Sequence, residues 1–135
     1  MDCFIFEAAG KHLGIEAHYI HRIVDSVKPA PIPLLPSCHA GIIYDRGDLF
    51  DVIDVGRLLD KESSSPSEKS PYVILLKWNQ RKLGLIPKRI IGIKWIQDTA
   101  DTGTSQTVFT SEGRTIQLIT PEEIWKMLSD LLYGP

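Results

Sequence analysis

A chain of 135 residues, 43% hydrophobic and 24% charged, is long enough to bury about two-thirds of its unfolded surface and fold without staples. Its formal net charge of −2 gives no electrostatic basis for binding nucleic acid or an anionic membrane surface. The longest apolar run, Tyr72 to Leu76, is far too short to span a bilayer, no signal-like segment opens the chain, and Cys3 and Cys38 are too few for a disulfide framework. These features point to a cytoplasmic protein in which each thiol acts as a small buried hydrophobe.

Cys3 to Phe6 has strand character, Ala8-Ala9-Gly10-Lys11 supplies a turn, and His12 to Ala17 returns, so the chain opens on a hairpin. The apolar series that continues through Ile20, Ile23 and Val24 fits a third strand or a single helical turn equally well. Pro29, Pro31, Pro33 and Pro36 then impose an extended connector, because each lacks a backbone donor and restrains the residue before it; Ile32, Leu34 and Leu35 are available there to pack down.

Ile42 and Ile43 lead into the turn formers Asp45-Arg46-Gly47-Asp48, and Leu49, Phe50, Val52 and Ile53 return as a strand. Arg46, a permanent cation with five donors in a planar fork, is therefore held at a hairpin tip, where it either solvates the turn or grips a partner. Asp54 is placed to cap a short helix over 54–60 carrying Val55, Leu58 and Leu59. The polar, Ser-rich stretch 61–71 reads as a flexible linker.

The second half runs through a strand from Tyr72 to Trp78, a turn at Asn79 to Lys82, a return over Leu83 to Ile86, and an apolar series of Ile90, Ile91, Ile93, Trp95 and Ile96. A loop at 97–106 and a hairpin around Ser111-Glu112-Gly113-Arg114 follow. The last element, over 120–132, has the clearest helical signature: Thr120 at the N-cap, Pro121 at the first position and Glu123 completing a capping box. Trp78, Trp95 and Trp125 all lie in apolar series, which predicts core packing for each.

The halves echo each other. Lys11-His12-Leu13-Gly14-Ile15 corresponds to Arg81-Lys82-Leu83-Gly84-Leu85, Gly47 to Gly113, Val52-Ile53 to Leu118-Ile119, and Asp54 to Thr120. The repeat predicts a mainly β fold of two small five-stranded barrels packed together, with approximate halves 1–60 and 71–135 inside a single domain of 1–135. A seam between two such barrels is where a shallow apolar groove belongs. Whether each half keeps its own strands or exchanges them is not encoded in these spacings.

The succession of hairpin, apolar connector, proline-rich crossing, the motif Gly41, Ile43, Arg46, Gly47, then Val52-Ile53-Asp54, with a second half echoing the first, resembles the CheW-like domain family. Pro33, Pro36 and the strands Leu13-Gly14-Ile15 and Gly84-Leu85-Ile86 are supporting matches, and the likeness runs from Phe4 to about Leu128. The resemblance implies two SH3-like barrels, no catalysis and no cofactor. It implies a free-standing cytoplasmic adaptor, monomeric in isolation, that couples the cytoplasmic tip of a chemoreceptor to the regulatory domain of a CheA-type histidine kinase in bacterial chemotaxis. An adaptor of another motility or signalling array is the alternative within the family. By position, Arg46 and Gly47 inherit partner binding, with Ile42, Ile43 and Ile53 lining or supporting the groove. The chain departs from the family pattern at Arg22, Asp45, Asp51 and Pro87-Lys88, and Asp45 is an acid beside Arg46 with which it could pair.

Two enzymatic readings compete. His18 and His21, three apart, and the adjacent Cys38-His39 suggest metal ligands, although that histidine spacing suits a site only on a helix and no Cys-x-x-Cys or His-Glu-x-x-His is present. Ser37, His39 and Asp45 can be drawn as a hydrolytic set, but no Gly-x-Ser-x-Gly elbow accompanies them.

Overall fold

The structure, a computed structural model, describes residues 1–25, 28–60, 71–96 and 108–134. Apart from Pro71, the expected linker lies outside the described residues, as does the 97–106 loop. Ten strands and two helices follow in the order β1 (Asp2–Ala8), β2 (Lys11–Glu16), β3 (Ile20–Asp25), β4 (His39–Asp45), β5 (Asp48–Asp54), α1 (Val55–Leu59), β6 (Tyr72–Trp78), β7 (Arg81–Ile86), β8 (Arg89–Trp95), β9 (Val108–Ser111), β10 (Arg114–Leu118) and α2 (Pro121–Tyr133). The ambiguous series after the first hairpin contains both candidate structures, a 3-10 turn at Ala17–Tyr19 running directly into β3.

The strands form two five-stranded sheets, ordered β8-β1-β2-β10-β9 and β3-β6-β7-β5-β4. Each sheet takes its central hairpin from one half of the sequence and its other three strands from the other half. The exchange is reciprocal and keeps register. Gly14 of β2 lies beside Leu118 of β10 in one parallel pair, and the equivalent Gly84 of β7 lies beside Val52 of β5 in the other. Both glycines are needed for close approach: a Cβ on Gly14 would meet Leu118 at 3.0 Å, and one on Gly84 would meet Val73 at 3.0 Å.

Burial on two sides explains why the central strands read as nearly continuous apolar runs. Phe4 and Phe6 of β1, with Ile74, Leu76 and Trp78 of β6, face a core shared between the sheets and closed by Ile124 and Leu128 of α2. Their alternating neighbours point into separate interiors, Val73 and Leu75 with Phe50 in one sheet, Cys3 and Ile5 with Ile116 in the other. Each sheet thus curls around its own small core while a third core joins them.

The ladder hydrogen bonds leave each sheet open between its outer strands, and side chains cross the opening. Arg22 of β3 forks onto Asp45 of β4 at 2.8 and 3.3 Å. In the other sheet Lys94 of β8 reaches Glu112, at the tip of the β9–β10 hairpin, at 2.9 Å.

Both helix starts follow their capping chemistry. Asp54 Oδ1 accepts from the Arg57 N–H at 3.3 Å, and Thr120 Oγ1 accepts from the Glu123 N–H at 3.1 Å with Pro121 in the first turn. Two apolar expectations need correction. Trp95 is 72% exposed, because β8 is an outer strand whose Ile93 and Trp95 point away from both cores. Leu34 is fully exposed, at a positive φ of 65° within the proline connector, and Ile32 is exposed as well. Trp78 is buried and donates to Glu122 Oε2 at 2.7 Å; Trp125 packs edge-on against it, with Arg81 stacked on its ring at 5.0 Å.

Candidate functional site

The β4–β5 hairpin closes through a two-residue turn, Arg46-Gly47, between the paired Asp45 and Asp48. Both turn residues have positive φ, 49° and 91°, the handedness that matches the twist of the flanking strands. Gly47 contributes that backbone geometry; it has open space around it and offers no side chain to a partner. The Arg46 side chain is exposed and makes no ion pair or hydrogen bond with any described residue.

Period-two alternation sorts the hairpin into two faces. Ile43 and Phe50 pair across the strands and are buried inside the sheet. On the opposite face Tyr44 pairs with Leu49, and the two are 70% and 60% exposed. The next pair on that face, Ile42 with Asp51, is half-buried, and Ile53 beyond it enters the shared core. Of the residues expected to line or support a groove, Ile42 reaches the surface, whereas Ile43 and Ile53 support it from inside. Tyr44 and Leu49 were not singled out from the sequence, although a two-residue turn at Arg46-Gly47 combined with alternation places them opposite each other on the outward face.

This face leads to a groove of about 190 Å³ where α2 meets β4, β5 and the proline connector. Its walls include Leu35, Asp51, Leu128, Leu132 and Tyr133. At its base His39, whose side chain is 3% exposed, accepts from the Gly41 N–H at Nδ1, 3.2 Å away, so Nε2 is the donor to Asp51 Oδ1 at 3.0 Å. Gly41 has a local reason to be glycine. At φ 134° its Cβ would stand 2.3 Å from the Ala30 carbonyl oxygen, where the connector pairs with Ile42 through two 2.9 Å backbone bonds and covers the outer edge of β4.

The departures from the family pattern are engaged with partners. Asp45 pairs with Arg22 rather than with Arg46, and the Arg22 hydrogen bonds hold its carboxyl below the usual carboxylate range, with the charge of Arg46 adding a smaller effect. The acid beside the motif arginine therefore does not occupy it. Asp51 holds His39, and Lys88 donates its backbone N–H to the Glu7 carbonyl at 2.8 Å. On the sheet's far side, Lys77 and then Lys82 lower Asp48 to about 2. The Trp78 indole and then Arg81 lower Glu122.

The enzymatic constellations do not assemble. His39 spends both nitrogens on Gly41 and Asp51, and Asp45 is held by Arg22, so Ser37 has neither base nor orienting acid. His18 lies in the 3-10 turn, 3.2 Å from Glu16, while His21 lies on β3 and stacks on Phe50, so their spacing is not helical. Cys38 is buried, and burial raises the Cys3 thiol pKa, an environment for inert thiols. Among the described residues no group of three or more His, Cys, Asp or Glu converges as a metal site, and no helix is long and apolar enough to cross a membrane.

Two exchanged β-subdomains around a common core, presenting a hairpin arginine and an apolar groove, define a scaffold domain built to offer surfaces. The model of the CheW-like domain matches residues 2–127, and the chain belongs to that family. Fifteen chains of known structure match it. One is the scaffolding protein TtCheW from Thermoanaerobacter tengcongensis, with a TM-score of 0.69 and 22% identity over 87% of this chain and 82% of that one. The likeness establishes the fold, two SH3-like subdomains, as the sequence resemblance implied. No curated protein sequence matches.

Proposed function

We propose that this chain is a non-catalytic adaptor of bacterial chemotaxis, joining the cytoplasmic tip of a chemoreceptor to the regulatory domain of a CheA-type histidine kinase. Membership of the CheW-like family supports the adaptor class. The observation that carries the site assignment is Arg46, presented with no ion pair or hydrogen bond among the described residues on a two-residue turn beside the exposed pair Tyr44 and Leu49. Arginine and tyrosine around an apolar surface are the composition of an interface hot spot, and the groove beneath α2 continues that surface.

In this reading a helical receptor tip lays its apolar side over Tyr44, Leu49 and Ile42 while Arg46 forks onto a carboxylate or carbonyl at the tip. Ile43 and Ile53 keep the hairpin stiff, so that little ordering entropy is lost on docking. The protein works in the cytoplasm, where both partners present these modules, and is monomeric when isolated.

The test is co-migration of the purified protein with a receptor tip fragment and, separately, with a CheA-type regulatory domain. Arg46→Ala is expected to weaken receptor-tip binding by about thirtyfold, roughly 2 kcal/mol, with an unchanged circular dichroism spectrum. Unaltered binding by that variant refutes the role of Arg46; failure to bind either partner refutes the adaptor assignment.

A further inference from the structure

The exchanged repeat gives most surface positions an internal counterpart. In the sheet that carries Arg46, Asp48 accepts from Lys77 and, at 2.9 Å, from Lys82, and Glu122 accepts from Arg81. The same spacings that align the halves carry Lys82 onto His12, Arg81 onto Lys11, Asp48 onto Arg114 and Glu122 onto Gly56. Two of the three donors have donor counterparts at the second position, His12 and Lys11, whereas Lys77 falls on Glu7; both acids are replaced, and an arginine stands where Asp48 was.

Arg114 Nη1 lies 3.4 Å from His12 Nε2, a long contact, and the Lys11 ammonium has no ion pair among the described residues. Two neighbouring acids are committed elsewhere, Glu112 to Lys94 at 2.9 Å and Glu7, opposite His12 across the strands, to Arg89 at 2.8 Å. Between these donors opens a cleft of about 400 Å³, lined by Gly10, Lys11, His12, Arg114, Thr115 and Gln117. It lies along the parallel β2–β10 pair, on the sheet that does not carry Arg46.

We infer that this cleft binds the carboxylate side chains of an acidic segment on a partner protein. Asp48 and Glu122 satisfy Lys82 and Arg81, the counterparts of His12 and Lys11, and with Glu7 held by Arg89 a carboxylate from outside is the group that the cleft's donors fit. Arg114 offers a planar fork for two parallel charge-assisted bonds, Lys11 a mobile ammonium, and Thr115 and Gln117 neutral donors beside them. On a chain whose net charge is −2, Lys11 and Arg114, neither with an ion pair among the described residues, stand out as a local attractor for negative charge. The inference is separate from the Arg46 surface and does not require it.

The experiment is an amide NMR titration of the full chain with acetyl-tetraglutamate-amide, and in a second arm with inorganic phosphate. The peptide is expected to shift Lys11, His12, Arg114 and Thr115 saturably, and Arg114→Asp, which restores an acid at the position of Asp48, is expected to weaken peptide binding at least tenfold while the spectrum stays dispersed. Should that variant fail to fold, Arg114→Gln combined with Lys11→Gln serves the same purpose, with the same tenfold loss expected. The proposal is overturned if no saturable shift occurs, if the variants bind the peptide as the parent does, or if phosphate binds and the peptide does not.

Discussion

The β4–β5 and β9–β10 hairpins share one backbone and have opposite surface chemistry. Each turns on two residues of positive φ, Arg46-Gly47 at 49° and 91° and Glu112-Gly113 at 53° and 76°, and each leads through its second strand into a side-chain-capped helix. The difference lies in which residue closes the gap between the outer strands. In one sheet the strand residue Asp45 takes Arg22, and the tip residue Arg46 is left to solvent; in the other the tip residue Glu112 is itself tied to Lys94. A repeated scaffold thus fills the same structural need from adjacent positions, and that one-residue displacement frees an arginine on one side only. The scaffold does not require the arginine, which favours an external role for it.

Exchanging the tips tests this most severely. Arg46→Glu, which gives the first hairpin the residue of the second, is expected to lower receptor-tip affinity about a hundredfold, near 3 kcal/mol, in a titration at fixed salt, since it removes the fork and adds repulsion. Gly41→Ala acts on the β4 edge that the proline connector covers; the clash with Ala30 and the positive φ predict a loss of about 2–3 kcal/mol in denaturant unfolding. A loss below about 0.5 kcal/mol would mean that the connector moves aside freely.

Asp48, where the second hairpin has Arg114, gives the first hairpin a response to acid. The folded-state pKa of Asp48 is about 2 against an ordinary 3.8, so the stability its lysine pairs contribute is fully present above about pH 4 and is lost as pH falls through 2. Melting curves of the parent and Asp48→Asn should therefore differ above pH 4 and converge toward pH 2; a gap that persists unchanged at pH 2 would contradict the ion-pair account. The smallest effect belongs to Glu112→Ala. Its exposed pair with Lys94 predicts a stability change within about 0.5 kcal/mol and receptor binding equal to the parent's.

Much of the chain is legible because its signals are local. The turn at Arg46-Gly47, the caps Asp54 and Thr120 and the returning hairpins β1–β2 and β6–β7 depend on backbone preferences and hydrogen bonds that span only a few residues. The exposed half of the site was harder to read. Tyr44 and Leu49 have the same apolar character as Ile43 and Phe50, and only the register of the ladder assigns one pair to solvent and the other to the core. Trp95 misleads for a related reason: an apolar series looks the same on an outer strand as on a central one.

By itself the sequence determined the repeat, most strand and helix positions but not β3, the family and the hairpin position of Arg46, each of which follows from short-range chemistry or a recognisable motif. Tertiary structure alone decided that the two subdomains exchange their central hairpins, that Arg22 rather than Arg46 takes Asp45, and that Lys11, His12 and Arg114 share a cleft. The reason is the repeat itself. Because Gly14 and Gly84 occupy the same place in equivalent strands with matching neighbours, either hairpin satisfies the local pattern of either sheet, and the choice between them is made only when the whole chain closes on its common core.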